Sequence, residues 1–262
     1  MPKKLGFALG AGGSRGVAHV GFLRAMEENG IVPDYISGSS MGSVVGSCYA
    51  MGMKPEQMYE EVMKLKFSEI FGLSINPLGQ GALSRTTRMK KKLTSFLGDR
   101  TFNDLQIPFT AVVTDLNTGK PVAISGDKKV VDYVVASSSI PLVFEPLNVD
   151  GMALVDGGVT ARVPVKEVRK MGAEVIVAVD VLGGVRPQEK KHNLFSMFFR
   201  AYDIMDAQLS RYKMKQYKPD IMLFPELGDM NQLKFAGMDM AYEKGYEMGL
   251  NNVKKIKQLI GD

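Results

Sequence analysis

The residues of this chain that could do chemistry fall in three short stretches. Gly38-Ser39-Ser40-Met41-Gly42 has G-x-S-x-G spacing and lies where an apolar strand, Tyr35 to Ser37, gives way to a helix-like run from Met41 to Met51. That setting is a nucleophile elbow, a sharp strand-to-helix turn that lifts a serine hydroxyl above a sheet, with glycines (Gly38, Gly42) where side chains would clash. Ser40 is therefore the candidate nucleophile. Gly10-Ala11-Gly12-Gly13-Ser14-Arg15-Gly16 follows the apolar strand Leu5 to Leu9 and opens a helix that runs to about Asn29. Backbone N–H groups in such a loop point into a concavity at a helix N-terminus, where the helix dipole also favours negative charge, so the loop can hold an anion. Asp156-Gly157-Gly158 follows the apolar run Met152 to Val155, which puts a carboxylate at a strand end with room beside it. A general base can stand there.

G-x-S-x-G alone arises by chance in roughly one chain of this length in ten, but the set of three is specific. In the order glycine loop, G-x-S-x-G, D-G-G, the motifs resemble the patatin-like phospholipase family, and the likeness covers most of the chain. Ala136-Ser137-Ser138-Ser139-Ile140-Pro141-Leu142-Val143-Phe144-Glu145-Pro146 is similar to that family's block ahead of the aspartate, and Ala111-Val112-Val113-Thr114-Asp115-Leu116-Asn117-Thr118-Gly119 to one further upstream. The resemblance implies a serine hydrolase of lipid acyl esters, of the phospholipase A or lysophospholipase type, with a lipid or lysophospholipid as substrate. By matching positions, Ser40 is the nucleophile, Asp156 its base, and Gly12 with Gly13 the oxyanion hole. Ala11, Arg15, Gly16, Gly38, Gly42, Gly157 and Gly158 support the motifs. Two departures stand out. Alanine occupies the first position of the family's G-x-G-x-x-G, and Thr160-Ala161-Arg162 follows the aspartate where the family commonly has asparagines.

These residues need a frame to hold them. Apolar strand-like runs recur at Leu5 to Leu9, Tyr35 to Ser37, Phe109 to Thr114, Pro121 to Ile124, Ala153 to Val155, Val175 to Val179 and Ile221 to Phe224, with helix-period segments between most of them. That alternation predicts an α/β fold, three layers deep, with a mostly parallel central sheet and helices on both faces. The expected organisation is a single patatin-like domain over 1–262, with the catalytic motifs within about 5–170 and a region of about 190–262 completing the fold. Residues 67–84 mix turn formers with apolar side chains, as a packed loop or a lid over a pocket would. Gly183 to Lys191 reads as a loop, the series from Leu194 to Tyr212 as an amphipathic helix, and Gln232 to Ile260 as a final helical region.

Composition narrows the function classes. Thirty-three Lys and Arg against 28 Asp and Glu leave a net charge of +5, too mild to demand nucleic acid. The cations cluster: Arg85, Arg88, Lys90, Lys91, Lys92 and Arg100 share a run with Met89, Leu93, Phe96 and Leu97 at helical spacing. That face is either solvated or in peripheral contact with an anionic membrane. No window of about 20 apolar residues and no signal-like start exists, so a cytoplasmic protein is expected. The one cysteine, Cys48, excludes an internal disulfide and reads as a small buried residue. No cofactor is implied, and no Cys, His and carboxylate cluster has metal-ligand spacing.

Histidine is the usual base for serine, and the chain has two. His19 shares a helix face with Arg15 near the glycine loop and reads as packing or hydrogen bonding, whereas His192 sits among Lys190, Lys191 and Asn193 as an exposed helix entrance. Asp156 is the better base, with burial beside Leu154 and Val155 expected to raise its proton affinity without protonating it at neutral pH. Asp115 and Asp180 also end apolar strands, Asp115 leading into a turn; Ser137 to Ser139 lack elbow glycines. Arg15 either braces the glycine loop or attracts a lipid phosphate. A dinucleotide enzyme is disfavoured because no acidic residue ends the second strand. A lipid transacylase and a non-catalytic lipid-binding protein on the same fold remain as alternatives.

Overall fold

Strands covered on both faces read as continuous apolar runs, and the runs noted above become the middle of one sheet. The computed structural model describes residues 2–64, 81–184, 194–232 and 236–262. Among these, eight strands pair: β1 (Leu5–Leu9), β2 (Tyr35–Ser39), β3 (Phe109–Asp115), β4 (Lys120–Ile124), β5 (Leu147–Val149), β6 (Met152–Asp156), β7 (Val175–Val179) and β8 (Ile221–Leu223). Their order is β5-β6-β3-β2-β1-β7-β8, with β4 also on β3. The centre, β3-β2-β1-β7-β8, is parallel, and β4, β5 and β6 add antiparallel pairs at one side.

Helices follow the strands: α1 (Val17–Glu28), α2 (Met41–Ala50), α3 (Pro55–Lys64), α4 (Gly81–Leu97), α5 (Val130–Ser137), α6 (Gly158–Ala161), α7 (Val165–Lys170), α8 (Leu194–Tyr217) and α9 (Met238–Ile260). Strand residues alternate between two cores. Leu5, Phe7, Leu9, Ile36, Phe109, Val175, Val177 and Val179 pack with α1, α2, α5 and α9, whereas Ala8, Ile176 and Ala178 meet α7 and the end of α8 on the other face. This is the three-layer α/β arrangement expected. Phe7 is fully buried edge-on to Phe22, ring centroids 5.0 Å apart, which fixes α1 over β1.

Several boundaries differ from the sequence reading. β2 continues through Gly38 to Ser39 because its ladder to β3 outweighs the weak strand preference of Gly and Ser. β5, a three-residue strand of mixed burial, has no readable alternation. α4 starts at Gly81, inside the stretch read as loop or lid, and the last helix starts at Met238, six residues after Gln232. Residues 67–80, most of the 183–191 loop and His192 lie outside the described residues. No helix among the described residues is long and apolar enough to cross a membrane.

α1 carries the glycine loop at its head and is clamped by α9 through small residues. A Cβ on Gly21 would stand 2.0 Å from the Tyr242 carbonyl oxygen, and one on Gly245 2.0 Å from that of Ala18. Both contacts are backbone, which cannot swing aside. Gly245→Val is therefore expected to cost at least the ~1–3 kcal/mol of an overpacked core, read as a lower midpoint in urea unfolding; an unchanged midpoint would mean that α1 and α9 do not pack this closely in solution.

Candidate active site

β3 brings the two halves of the site together. β4 pairs along β3 from Ala111 to Asp115, so β2, on Phe109 to Val112, and β6, on Val113 to Asp115, share its other edge end to end. Ser39 pairs with Val112 and Asp156 with Val113, adjacent residues of one strand. Ser40, one step beyond Ser39, thus faces Asp156. Its Oγ donates to Asp156 Oδ2 at 2.6 Å, and both residues are buried, 5% and 4% exposed.

Ser40 adopts φ 53°, ψ −126°, a conformation that side chains rarely take and that strand-to-helix elbows impose. Close backbone approach enforces it: a Cβ on Gly42 would lie 2.1 Å from the Leu9 carbonyl oxygen. The Ser40 N–H donates to Ser137 Oγ at 3.0 Å, and that hydroxyl donates to the Val112 carbonyl at 2.6 Å. Ser137 thus braces the turn. Asp156 is fixed as tightly, since Oδ1 accepts the Gly158 N–H at 2.7 Å and its backbone N–H donates to the Ser139 carbonyl. Gly157 has no room for a side chain, because a Cβ would sit 2.1 Å from the Val112 carbonyl oxygen.

The glycine loop closes the third side. Ala11 N–H is tied to the Arg162 carbonyl and Ser14 N–H to that of Gln232, both at 2.9 Å. Among the described residues, the N–H groups of Gly12, Gly13 and Met41 donate no hydrogen bond, whereas that of Ser40 is occupied. Gly13 has φ +53°, and a Cβ there would meet the Gln232 carbonyl oxygen at 2.2 Å. Arg15 braces the loop from behind, donating to the carbonyls of Met230 (2.7 Å), Gly228 (3.1 Å) and Leu182 (3.2 Å). Of its two expected roles, the structure shows bracing.

Burial lifts the Asp156 carboxyl to about 7, against the hydrogen bonds from Ser40 and the Gly158 N–H, which hold it down, and with a smaller upward push from Asp206. The direction is the one expected, but the size is larger: the group titrates at neutrality instead of staying ionised. A carboxylate so poised can take a proton from the serine it touches. His19 is fully buried, its Nε2–H donates to the Gly10 carbonyl at 2.8 Å, and burial lowers it to about 4. It holds the loop as a neutral ring. Asp115 caps its own turn through Asn117 N–H and Thr118 Oγ. Among the described residues, neither Ser138 nor Ser139 hydrogen-bonds Ser40; Ser139 Oγ donates to the Val135 carbonyl. Among the described residues, no group of three or more His, Cys, Asp or Glu could hold a metal ion.

An apolar cavity of about 140 Å³ begins at Ser40, with Gly13, Ser14, Ser138 and Gln232 at this end and Met41, Val44, Val45 and Cys48 along one wall. Burial pushes the Cys48 thiol up to about 12, so it stays protonated lining.

The chain is similar to known proteins in sequence and in fold. A family model described as Patatin-like phospholipase matches residues 7–169. A protein described as lysophospholipase nte1 of Aspergillus fumigatus is 27% identical over 282 aligned positions, covering 97% of this chain and 18% of that protein. An uncharacterised NTE family protein of Mycobacterium tuberculosis is 33% identical over 181 positions, covering 69% of this chain and 49% of its own. The chain therefore spans about a fifth of the fungal relative and about half of the mycobacterial one. In fold it is similar to VipD from Legionella pneumophila, with a TM-score of 0.64, 14% identity, and coverage of 97% of this chain and 67% of that one.

The departure at Arg162 has a structural role that its sequence position did not reveal. The side chain is buried and donates to Asp180 Oδ1 from Nε (3.0 Å) and Nη2 (2.7 Å), to Asp206 Oδ2 from Nη1 (3.1 Å), and to the Gly183 carbonyl. Asp180, a decoy for the base, also caps the Leu182 and Gly183 N–H groups. The signal was a charged residue inside an otherwise small, apolar run, which is buried only when paired. Arg162→Met should strand two buried carboxylates at a cost of about 3–5 kcal/mol, measured by chemical denaturation at neutral pH; a loss below about 1 kcal/mol would make the cluster equivalent to a surface ion pair.

Proposed function

The chain belongs to the patatin-like phospholipase family, and from that premise we propose that it is a serine hydrolase of lipid acyl esters working through a Ser40–Asp156 dyad. The observation that carries the reading is the 2.6 Å hydrogen bond from Ser40 Oγ to a buried carboxylate, at the mouth of an apolar cavity. As Ser40 Oγ attacks the ester carbonyl carbon, its proton passes to Asp156 Oδ2. The carbonyl oxygen becomes an oxyanion within reach of the uncommitted N–H groups of Gly12, Gly13 and Met41, where fixed dipoles in a dry site act strongly. Collapse breaks the ester C–O bond, and the leaving alcohol takes the proton from Asp156. Water then gives Asp156 a proton as it attacks the acyl-Ser40 carbonyl, and Ser40 recovers that proton as the fatty acid leaves.

The substrate class rests on the family, the apolar cavity and the fungal lysophospholipase relative. Peripheral contact with an anionic membrane belongs to the same proposal. It is a weak contact, because Lys90 is paired with Asp132 at 2.6 Å and Lys92 with Glu61 at 3.5 Å, which neutralises part of the run, although Arg88, Lys91 and Arg100 are exposed. Co-sedimentation should favour anionic over zwitterionic vesicles and fall with salt, since exposed charges are screened over about 8 Å at physiological ionic strength. Equal binding to both vesicle types would remove the membrane from the proposal.

Ser40→Ala should abolish both hydrolysis of a butyryl p-nitrophenyl ester and fluorophosphonate labelling, and Asp156→Asn should lose ~10² to 10⁴ in turnover. Gly12→Pro, which deletes an N–H, should lose at least ~10². His19→Gln and His192→Gln should keep roughly a tenth or more of the wild-type rate per folded molecule, because general-base losses are far larger. Activity should fall on the acid side with a midpoint near 7, where the Asp156 carboxyl titrates. The stability sign is opposite. A carboxyl with a raised folded value binds its proton more tightly in the native state, so its contribution is full below the unfolded value of 3.8 and is lost as pH rises through about 7. The wild type should thus lose stability relative to Asp156→Asn between about pH 5 and about pH 8. A parallel pH profile for the two proteins would show that Asp156 is not the shifted group.

A further inference from the structure

The cavity at Ser40 has polar groups at its two ends and apolar walls between. Met41, Val44, Val45 and Cys48 recur at i, i+3, i+4 and i+7 on α2, facing Met58 and Val62 of α3 and Met89 and Leu93 of α4. From Met41 to Cys48 the helix rises about 10 Å. At the Ser40 end stand Gln232 and Ser138, whose buried Oγ has no hydrogen-bond partner. At the far end Glu61 and Lys92 form a 3.5 Å ion pair whose side chains are 31% and 35% exposed, so the cavity reaches the surface there. Met53, Glu61 and Phe96 line both this end and an open outer groove that continues past Gln57, Ser95 and Arg100. The far end is a second mouth instead of a floor.

We propose that the cavity is a through-channel for a single extended acyl chain, entered beside Ser40 and left beside the Glu61–Lys92 pair, with the side chains at Cys48 and Met53 setting which chain lengths pass. The inference rests on the hydrolase reading of Ser40. At about 140 Å³ the cavity is comparable to one that holds a single benzene. It therefore has room for one chain and for only part of a long one, and the remainder runs out into the groove. The methionine walls are flexible and adapt to a guest without polar cost. The half-exposed ion pair contributes little to stability, so it yields to a passing methylene chain. A chain in a blind pocket of this size would be cut off at short length.

The test is the ratio of kcat/KM for palmitoyl over butyryl p-nitrophenyl esters presented in the same micelles, a ratio independent of the fraction of enzyme folded. Wild type should favour palmitoyl. Met53→Trp, at the rear, should lower the palmitoyl-to-butyryl ratio at least tenfold while leaving the octanoyl-to-butyryl ratio within about threefold, and Cys48→Phe, nearer Ser40, should lower both ratios at least tenfold. Equal ratios in all three proteins, or losses that ignore the depth of the plug, would overturn the channel. Absence of butyryl hydrolysis in the wild type would instead overturn the hydrolase reading. A second measurement does not depend on turnover: in Ser40→Ala protein, palmitate should bind at least tenfold more tightly than butyrate by isothermal titration, and adding Met53→Trp should remove that difference. Equal affinities in the Ser40→Ala protein would place the chain elsewhere.

Discussion

The site depends on one strand edge that serves two partners. Val112 holds Ser39 and Val113 holds Asp156, so the spacing of the Ser40 hydroxyl and the Asp156 carboxyl is set by a single peptide unit of β3 and not by the flexibility of two loops. The strain at Ser40, of the order of 1–3 kcal/mol for such a backbone, is held by contacts that leave it no alternative. Gly42 lies against the β1 carbonyls, and Ser137 links the Ser40 N–H to the same Val112 that pairs with Ser39. Relaxing the elbow would break those contacts together.

Electrostatics divides the interior into two regions that share α6 and the residues after it. On one side no ion pair holds Asp156 among the described residues, and burial, with a smaller push from Asp206, drives its proton affinity up to about 7. On the other, Arg162 answers Asp180 and Asp206, and Asp206 too is pushed up to about 7, mainly by burial, with Arg162 pulling it back. Were Arg162 aimed at Asp156 instead, its charge would hold that carboxyl ionised and make it a poor acceptor for a serine proton. Placing the cation six residues along the chain from the acid and turning it toward Asp180 and Asp206 achieves both tasks: the glycine loop gains a fixed anchor at the Arg162 carbonyl, and the acid keeps its raised affinity.

Much of this was legible in sequence because the signals were local. The alternation of apolar runs with helical periods gave the α/β class, and the glycines around Ser40 and after Asp156 marked places where backbone approaches backbone. What escaped was decided by tertiary pairing. β2 runs to Ser39 only because β3 lies beside it, and the three-residue β5 exists only as a partner for β6. Ser137, set aside because it lacks elbow glycines, bonds backbone on both sides, and one of its partners is the Ser40 N–H. Arg162 was visible as an oddity, but its partners lie 18 and 44 residues away, beyond any local pattern. The size of the Asp156 shift depended on burial from all sides of the fold, which no neighbour pair such as Leu154 and Val155 reveals.

α2 links binding to chemistry. Its first residue, Met41, follows the elbow and offers an N–H toward the site, while the same face, through Val44, Val45 and Cys48, walls the cavity. A guest lying along that wall therefore presses on the helix that holds Ser40. Binding energy gained far from the ester can then be expressed where the bond breaks, as orientation of the carbonyl toward Ser40 Oγ and the free loop N–H groups. On the proposed dyad and channel, a short ester forgoes that contribution although it meets the same two residues. Chain length and turnover are then coupled through one rigid element, and the coupling needs no moving part.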